Sequence, residues 1–126
     1  MSDQIHVLLD ETAMVAAGQG NFVVSRLIHR AHAEAGWYVY VTTCALVEAD
    51  RARPGAAEHL VSMPGITVLD LDLPAALAVA RDDSWAVAHT RYAAEPMPER
   101  PDGAFIATAA PKRWENHPVR LLDINP

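Results

Sequence analysis

Residues 37–48 read WYVYVTTCALVE, and the residue types change half-way along this segment. Residues 37–41 are aromatic or β-branched, which favours a short strand. Thr42 or Thr43 can then cap a helix that ends before Pro54 and Gly55. A strand that passes directly into a helix is the repeating unit of an α/β fold, so this segment predicts a parallel sheet.

The same alternation continues on both sides of this segment. Short apolar runs predict four further strands, at 5–9, 66–69, 104–108 and 119–122. Apolar periodicity and capping residues predict helices that end near residue 17, lie between residues 21 and 36, and cover 56–61, 75–80 and 85–94. Asp10, Asn21 and Asp83 are predicted to cap helices, and Asp72 to begin another. The proline-rich segment 95–102 predicts a surface loop. We therefore expect one domain over residues 1–126, with a central, mostly parallel five-stranded sheet in a three-layer arrangement of helices and sheet.

Composition excludes several classes of protein. The chain has 126 residues, of which 51% are hydrophobic and 21% charged, as in a folded globule. A single cysteine, Cys44, excludes an internal disulfide and a multi-cysteine zinc site. A net charge of −6 argues against a broad basic surface. Because no apolar run could span a bilayer and no signal peptide is evident, we expect a cytoplasmic protein without membrane contact.

Two carboxylates follow predicted strands and could share one site. Asp10 comes directly after the strand at 5–9, and Glu48 lies about one turn into the helix after the strand at 37–41. The carboxyl ends of parallel strands meet at one edge of the sheet, so these acids are expected to converge there. Adjacent carboxylates repel, and oxygen ligands favour Mg²⁺ or Mn²⁺ between them. Taken singly, Asp10 could be a helix cap and Glu48 a solvated helix position.

These residues resemble the PIN domain. The resemblance lies in Asp10-x-Thr12 after the first strand and in Thr43-x-x-Leu46-x-Glu48 after the second. Members are mostly metal-dependent ribonucleases, and many are toxins of toxin and antitoxin pairs. The resemblance implies a cluster of acids that binds Mg²⁺ or Mn²⁺ and activates water to attack RNA. It also implies an antitoxin-like protein partner and a homodimer.

The second half departs from the family pattern. If residues 104–108 form a strand, Thr108 to Pro111 occupy the place of the family's Thr-x-Asp-Pro motif. Ala110 then stands where that motif has its acid. The third acid is then Asp83, or Asp82 beside it. The resemblance thus gives Asp10, Glu48 and Asp83 as metal-binding and catalytic residues, with Thr12 and Thr108 supporting them.

A different alignment of the second half keeps four acids. Asp102 would cap a helix at 103–110 and supply the third carboxylate, and Asp123 would supply the fourth at the end of the last strand. We favour the strand at 104–108 because it lies between a proline-rich loop and Pro111, which leaves little room for a helix.

Two functions remain open from the sequence. Asp10 and Glu48 favour a metal-dependent ribonuclease, with Arg51, Arg53, Lys112 and Arg113 as phosphate contacts. The missing acid at Ala110 favours a catalytically degenerate PIN-like domain that dimerises or binds a partner.

Overall fold

The computed structural model describes residues 4–126, and within that range one sheet of five strands is surrounded by six helices. The elements are β1 (Ile5–Leu9), α1 (Glu11–Gly18), α2 (Phe22–Ala33), β2 (Trp37–Thr42), α3 (Thr43–Ala52), α4 (Ala56–Val61), β3 (Ile66–Leu69), α5 (Leu73–Val79), α6 (Trp85–Ala94), β4 (Phe105–Thr108) and β5 (Arg120–Asp123), with a 3₁₀ turn at Pro111–Trp114. None of the helices in residues 4–126 has the length and apolar character needed to cross a bilayer.

The sheet has the strand order β3-β2-β1-β4-β5, and every neighbouring pair is parallel. The expected α/β sheet is confirmed, and it is parallel throughout rather than mostly parallel. Central strand β1 lies between β2 and β4, so that Val7 is level with both Val39 and Phe105. The carboxyl ends of β1, β2 and β4 consequently lie side by side.

Helices cover the two faces of the sheet with separate cores. The larger core packs α1 to α4 against side chains such as Val7, Leu9 and Val39. The smaller core packs α6 and the 3₁₀ turn against Leu8 and Ile106. Successive strand residues point to opposite faces, which is why Leu8 and Leu9 belong to different cores. This arrangement is consistent with a three-layer PIN-like fold.

Strand β4 decides between the two alignments of the second half. Phe105–Thr108 pairs with β1 on one side and β5 on the other, so the strand expected at 104–108 is confirmed. The alternative helix at 103–110 is wrong. Asp102 lies in a turn, and β5 ends at Asp123, one residue beyond the predicted strand end. The backbone at Gly103 has a φ of 71°, outside the helical region.

Side-chain caps begin most of the helices. Four capping residues predicted from the sequence accept a hydrogen bond from a backbone N–H in the first turn: Asp10, Asn21, Thr42 and Asp72. The prediction that Asp83 caps α6 is wrong. Ser84 takes that place and accepts from the backbone N–H of Val87, because it is the last extended residue before the helix.

Candidate functional site

The polar edge of the sheet is formed where three central strands end. Asp10 follows β1, Thr42 closes β2, and Thr108 closes β4, and all three residues are buried. The backbone N–H of Asp10 donates to the carbonyl of Ala107 at 3.1 Å, which ties the end of β1 to β4. Buried polar side chains need hydrogen-bond partners, so their contacts determine what this edge can do.

Asp10 is fully buried and accepts hydrogen bonds from three protein groups. Its Oδ1 accepts from the Thr12 hydroxyl at 2.6 Å and from the backbone N–H of Ala13 at 3.0 Å. Its Oδ2 accepts from the indole N–H of Trp114 at 3.1 Å. Hydrogen bonds to a carboxylate are about twice as strong as neutral ones, and these three hold both oxygens in place. The carboxylate is therefore part of the packed interior.

Thr12 and Thr108 extend this network of hydrogen bonds. The Thr12 hydroxyl lies 3.2 Å from that of Thr108 and accepts from the backbone N–H of Ala109 at 2.9 Å. The Thr108 hydroxyl accepts from the backbone N–H of Ala110, also at 2.9 Å. These contacts join the start of α1 to the segment after β4. Ala110, which stands where the family pattern has an acid, takes part in this network only through its backbone N–H.

Arg113 supplies positive charge beside the acids of this edge. Its guanidinium forms an ion pair with Glu11, the residue after Asp10. Burial works against the charged form of Arg113, but the hydrogen bond with Glu11 and the negative charges of Glu11 and Asp10 outweigh it and raise the pKa of the guanidinium. Neighbouring carboxylates need a nearby cation, and here a side chain of the same chain fills that role.

Trp114 is a buried side chain at the polar edge of the sheet, where it contacts Asp10. Only 1% of it is exposed, and it packs with Leu8, Tyr40 and Ile106 in the smaller core. From sequence, residues 111–116 are expected to form one helical turn, which does not indicate the role of this side chain. The available signal was a large aromatic residue a few positions after a predicted buried strand, where the chain must return over the sheet.

Glu48 and Asp83 lie elsewhere, in a surface cleft between α3 and α6 that encloses about 690 Å³. Both are exposed, and Glu48 pairs with Arg51 at 3.4 Å. Asp10 is not among the residues that line this cleft. Glu48 and Asp83 thus line one cleft, whereas Asp10 is buried in the packed edge. Asp82, the alternative third acid, pairs with Arg91 at 3.1 Å.

The described residues show no assembled site for a divalent metal ion. Across residues 4–126, no three His, Cys, Asp or Glu side chains come together in a group that could hold one. Mg²⁺ requires a near-octahedral set of oxygen ligands, whereas the oxygens of Asp10 already face a hydroxyl, an amide and an indole. The expected convergence of Asp10 with Glu48 and Asp83 on one ion therefore lacks support from this geometry.

Comparisons with known proteins do not assign the chain to a family. No protein-family model matches it, and no curated protein matches it either. The functional inference consequently depends on the fold, the buried edge and the surface cleft.

His89 lies inside the molecule near the base of the cleft. It is 1% exposed, and its Nδ1 accepts from the backbone N–H of Cys44 at 3.5 Å. Burial lowers the pKa of His89 below its ordinary value of 6.5, although the charge of Asp72 and a hydrogen bond with the backbone of Asp70 act in the opposite direction. The imidazole is therefore neutral in the folded protein near neutral pH.

This lowered pKa predicts a loss of stability in mild acid. Below about pH 6.5, His89 of the unfolded chain takes up a proton that the folded chain does not, so the free energy of unfolding falls as the pH drops. Urea unfolding at a series of pH values should show a smaller fall for His89→Gln than for the unsubstituted protein. The pKa of His6 is also lowered, by burial and by Arg100, so His6→Gln should remove a second, separate part of the same fall. Parallel pH profiles for the His89→Gln variant and the unsubstituted protein would contradict the prediction.

Proposed function

We propose that this chain is a PIN-like α/β domain that acts as a self-associating binding module without a metal centre. The observation that carries this proposal is the environment of Asp10. Three protein donors occupy its carboxylate, and Arg113 pairs with the neighbouring Glu11. The acid that a nuclease of this kind would use for its metal ion serves here as a buried structural acceptor.

The surface cleft supplies the binding surface. Besides Glu48 and Asp83, it is lined by apolar side chains that include Val47, Leu71 and Trp85. Trp85 is 65% exposed, and Val47 is 52% exposed. Monomeric soluble proteins rarely leave large apolar side chains clustered in water, and tryptophan is enriched at the centres of interfaces. This cleft therefore has the character of an interface.

The charges in the cleft suit a second copy of the same chain. Arg51 lies in the cleft with Glu48 and Asp83, so one surface carries both signs of charge. In a twofold contact the same patch faces itself, and a patch with both signs can pair its cation with the partner's carboxylate. An apolar centre with opposite charges at its edge is thus self-complementary.

Trp85→Ala is expected to weaken the dimer. Loss of an exposed tryptophan at the centre of the contact should raise the dimer dissociation constant at least about tenfold, which corresponds to about 1.4 kcal/mol. Sedimentation equilibrium over a range of protein concentrations measures this constant. Phe22→Ala is the matched control, because Phe22 is 70% exposed but lies outside the cleft. A protein that remains monomeric throughout, or a dimer that Trp85→Ala leaves unchanged, would contradict the proposal.

A metal-dependent ribonuclease is the second candidate function. The observation in its favour is that Glu48, Asp83 and Arg51 line one open cleft, where carboxylates and a guanidinium could both face a nucleic acid. RNA as substrate and an antitoxin-like partner belong to this candidate. Cleavage of mixed RNA in Mg²⁺ or Mn²⁺ that is lost in Glu48→Gln would support it. Absence of cleavage at high protein concentration would leave the binding module as the function.

A further inference from the structure

A second groove lies beside α2. It encloses about 470 Å³ and is lined mostly by apolar side chains, among them Phe22 on the helix, Phe105 on β4 and Leu122 on β5. Phe105 and Leu122 are only partly buried, and Phe22 is largely exposed. Parallel sheets normally have helices over both faces. The helix layer that contains α2 is therefore incomplete over β4 and β5.

Three arginines surround this groove, each placed over an aromatic ring. The guanidinium carbon of Arg26 lies 5.5 Å from the ring centre of Phe22, and that of Arg30 lies 4.7 Å from Trp37. The third, Arg120 on β5, lies 4.2 Å from Phe105. The chain as a whole carries a net charge of −6, so this concentration of cations is opposite in sign to the rest of the surface.

The arginines are poorly neutralised by the chain itself. Arg30 approaches Glu34 at 3.9 Å, an exposed pair of little energetic weight. Arg120 donates to the backbone carbonyl of Asp102, which is uncharged. In the part of the chain that the structure describes, no carboxylate lies within 4 Å of Arg26 or Arg120. The groove thus combines an apolar floor with unpaired positive charge at its rim.

We infer that this groove binds an acidic amphipathic helix of a partner protein. Such a helix would lie beside α2 as the next member of its layer, at the usual 8–10 Å or so between packed helices. Apolar side chains spaced three and four residues apart would cover Phe22, Phe105 and Leu122. Glutamate or aspartate on the flanks of the helix would reach Arg26 and Arg120.

The charge pattern argues against two other occupants. A second copy in a twofold contact would place the same arginines against one another, which like charges disfavour. Single-stranded RNA would use the arginines and the aromatic rings, but the aliphatic part of the floor, which includes Leu122 and Val7, suits apolar side chains better than phosphates. This inference concerns a different surface from the cleft and does not depend on the proposed function.

Selection from a displayed library of random helical peptides tests the inference. The full chain is the target, and a double variant, Phe22→Ala with Arg26→Ala, is used for counter-selection; both residues are exposed, so the variant should fold. We expect groove-dependent peptides with apolar residues at helical spacing and acidic flanks. They should bind the double variant at least about tenfold more weakly, and more weakly at high salt.

Three outcomes would overturn the inference. The first is recovery of no peptide that distinguishes the chain from the double variant, and the second is recovery of neutral or basic sequences. The third is binding of a single-stranded RNA oligonucleotide that the same two substitutions abolish. Trp85→Ala is the matched control, and it should leave peptide binding unchanged because Trp85 lies outside this groove. A failure here is distinct from a failure of self-association, since the two measurements use different surfaces.

Discussion

Trp114→Ala is expected to lower the free energy of unfolding by about 4 kcal/mol or more. Removal of a buried tryptophan typically costs about 3–5 kcal/mol, because the lost apolar contacts leave a cavity. Trp114 is 1% exposed and packs with Leu8 and Ile106. The substitution also removes the indole donor from Asp10, so a buried carboxylate oxygen loses its partner. Chemical denaturation monitored by circular dichroism measures the loss.

Trp114→Phe separates the two contributions. Phenylalanine retains much of the apolar ring but has no N–H, so the cost should shrink to about 1–3 kcal/mol, the range for one orphaned buried acceptor plus a small change of volume. An exposed tryptophan provides the control: Trp85→Ala should change the stability of the monomer by no more than about 0.5 kcal/mol. Equal losses for Trp114→Ala and Trp85→Ala would show that the indole does not seal the polar edge.

Asp10→Asn is expected to destabilise the protein by about 2–3 kcal/mol. The amide places an NH₂ group where a carboxylate oxygen accepts hydrogen bonds, so it must face either the Trp114 indole or the donors Thr12 and Ala13. Hydrogen bonds to charged groups are worth about 1.5–3 kcal/mol each in such settings. The substitution also removes a negative charge that favours the charged form of Arg113.

The sign of this effect distinguishes a structural acid from a metal ligand. A cluster of carboxylates built for a metal ion is destabilised by mutual repulsion when the ion is absent, so neutralising one of them raises stability. Measured by denaturation in the presence of a chelator, a gain of stability in Asp10→Asn would contradict the structural role. The exposed Asp83 provides the control, since Asp83→Asn should change stability by less than about 0.5 kcal/mol.

Much of the fold could be predicted from local sequence. Strand β2 and helix α3 follow from the change of pattern between residues 37–41 and Glu48, because β-branched and aromatic residues give way to a capped helix. The caps at Asp10 and Asp72 were evident because each carboxylate lies just before an apolar helical segment. Local sequence alone did not decide whether the residues of β4 form a strand or a helix, because a four-residue apolar run fits either a strand or part of a buried helix.

The site could be predicted less well because it depends on contacts distant in sequence. Asp10 and Trp114 are 104 positions apart, and nothing in either local pattern indicates that the indole reaches the carboxylate. Arg113 was predicted as a phosphate contact, whereas the structure pairs it with Glu11.

We infer that protein groups, and no divalent ion, satisfy the buried carboxylate of Asp10 at the end of β1. The direct measurement is the melting temperature with and without Mg²⁺ or Mn²⁺, for the unsubstituted chain and for Asp10→Asn combined with Glu48→Gln. Binding of an ion to the folded state would raise the melting temperature by mass action. We expect no metal-dependent rise of the melting temperature in either protein. A rise in the unsubstituted chain that disappears in the double variant would contradict it.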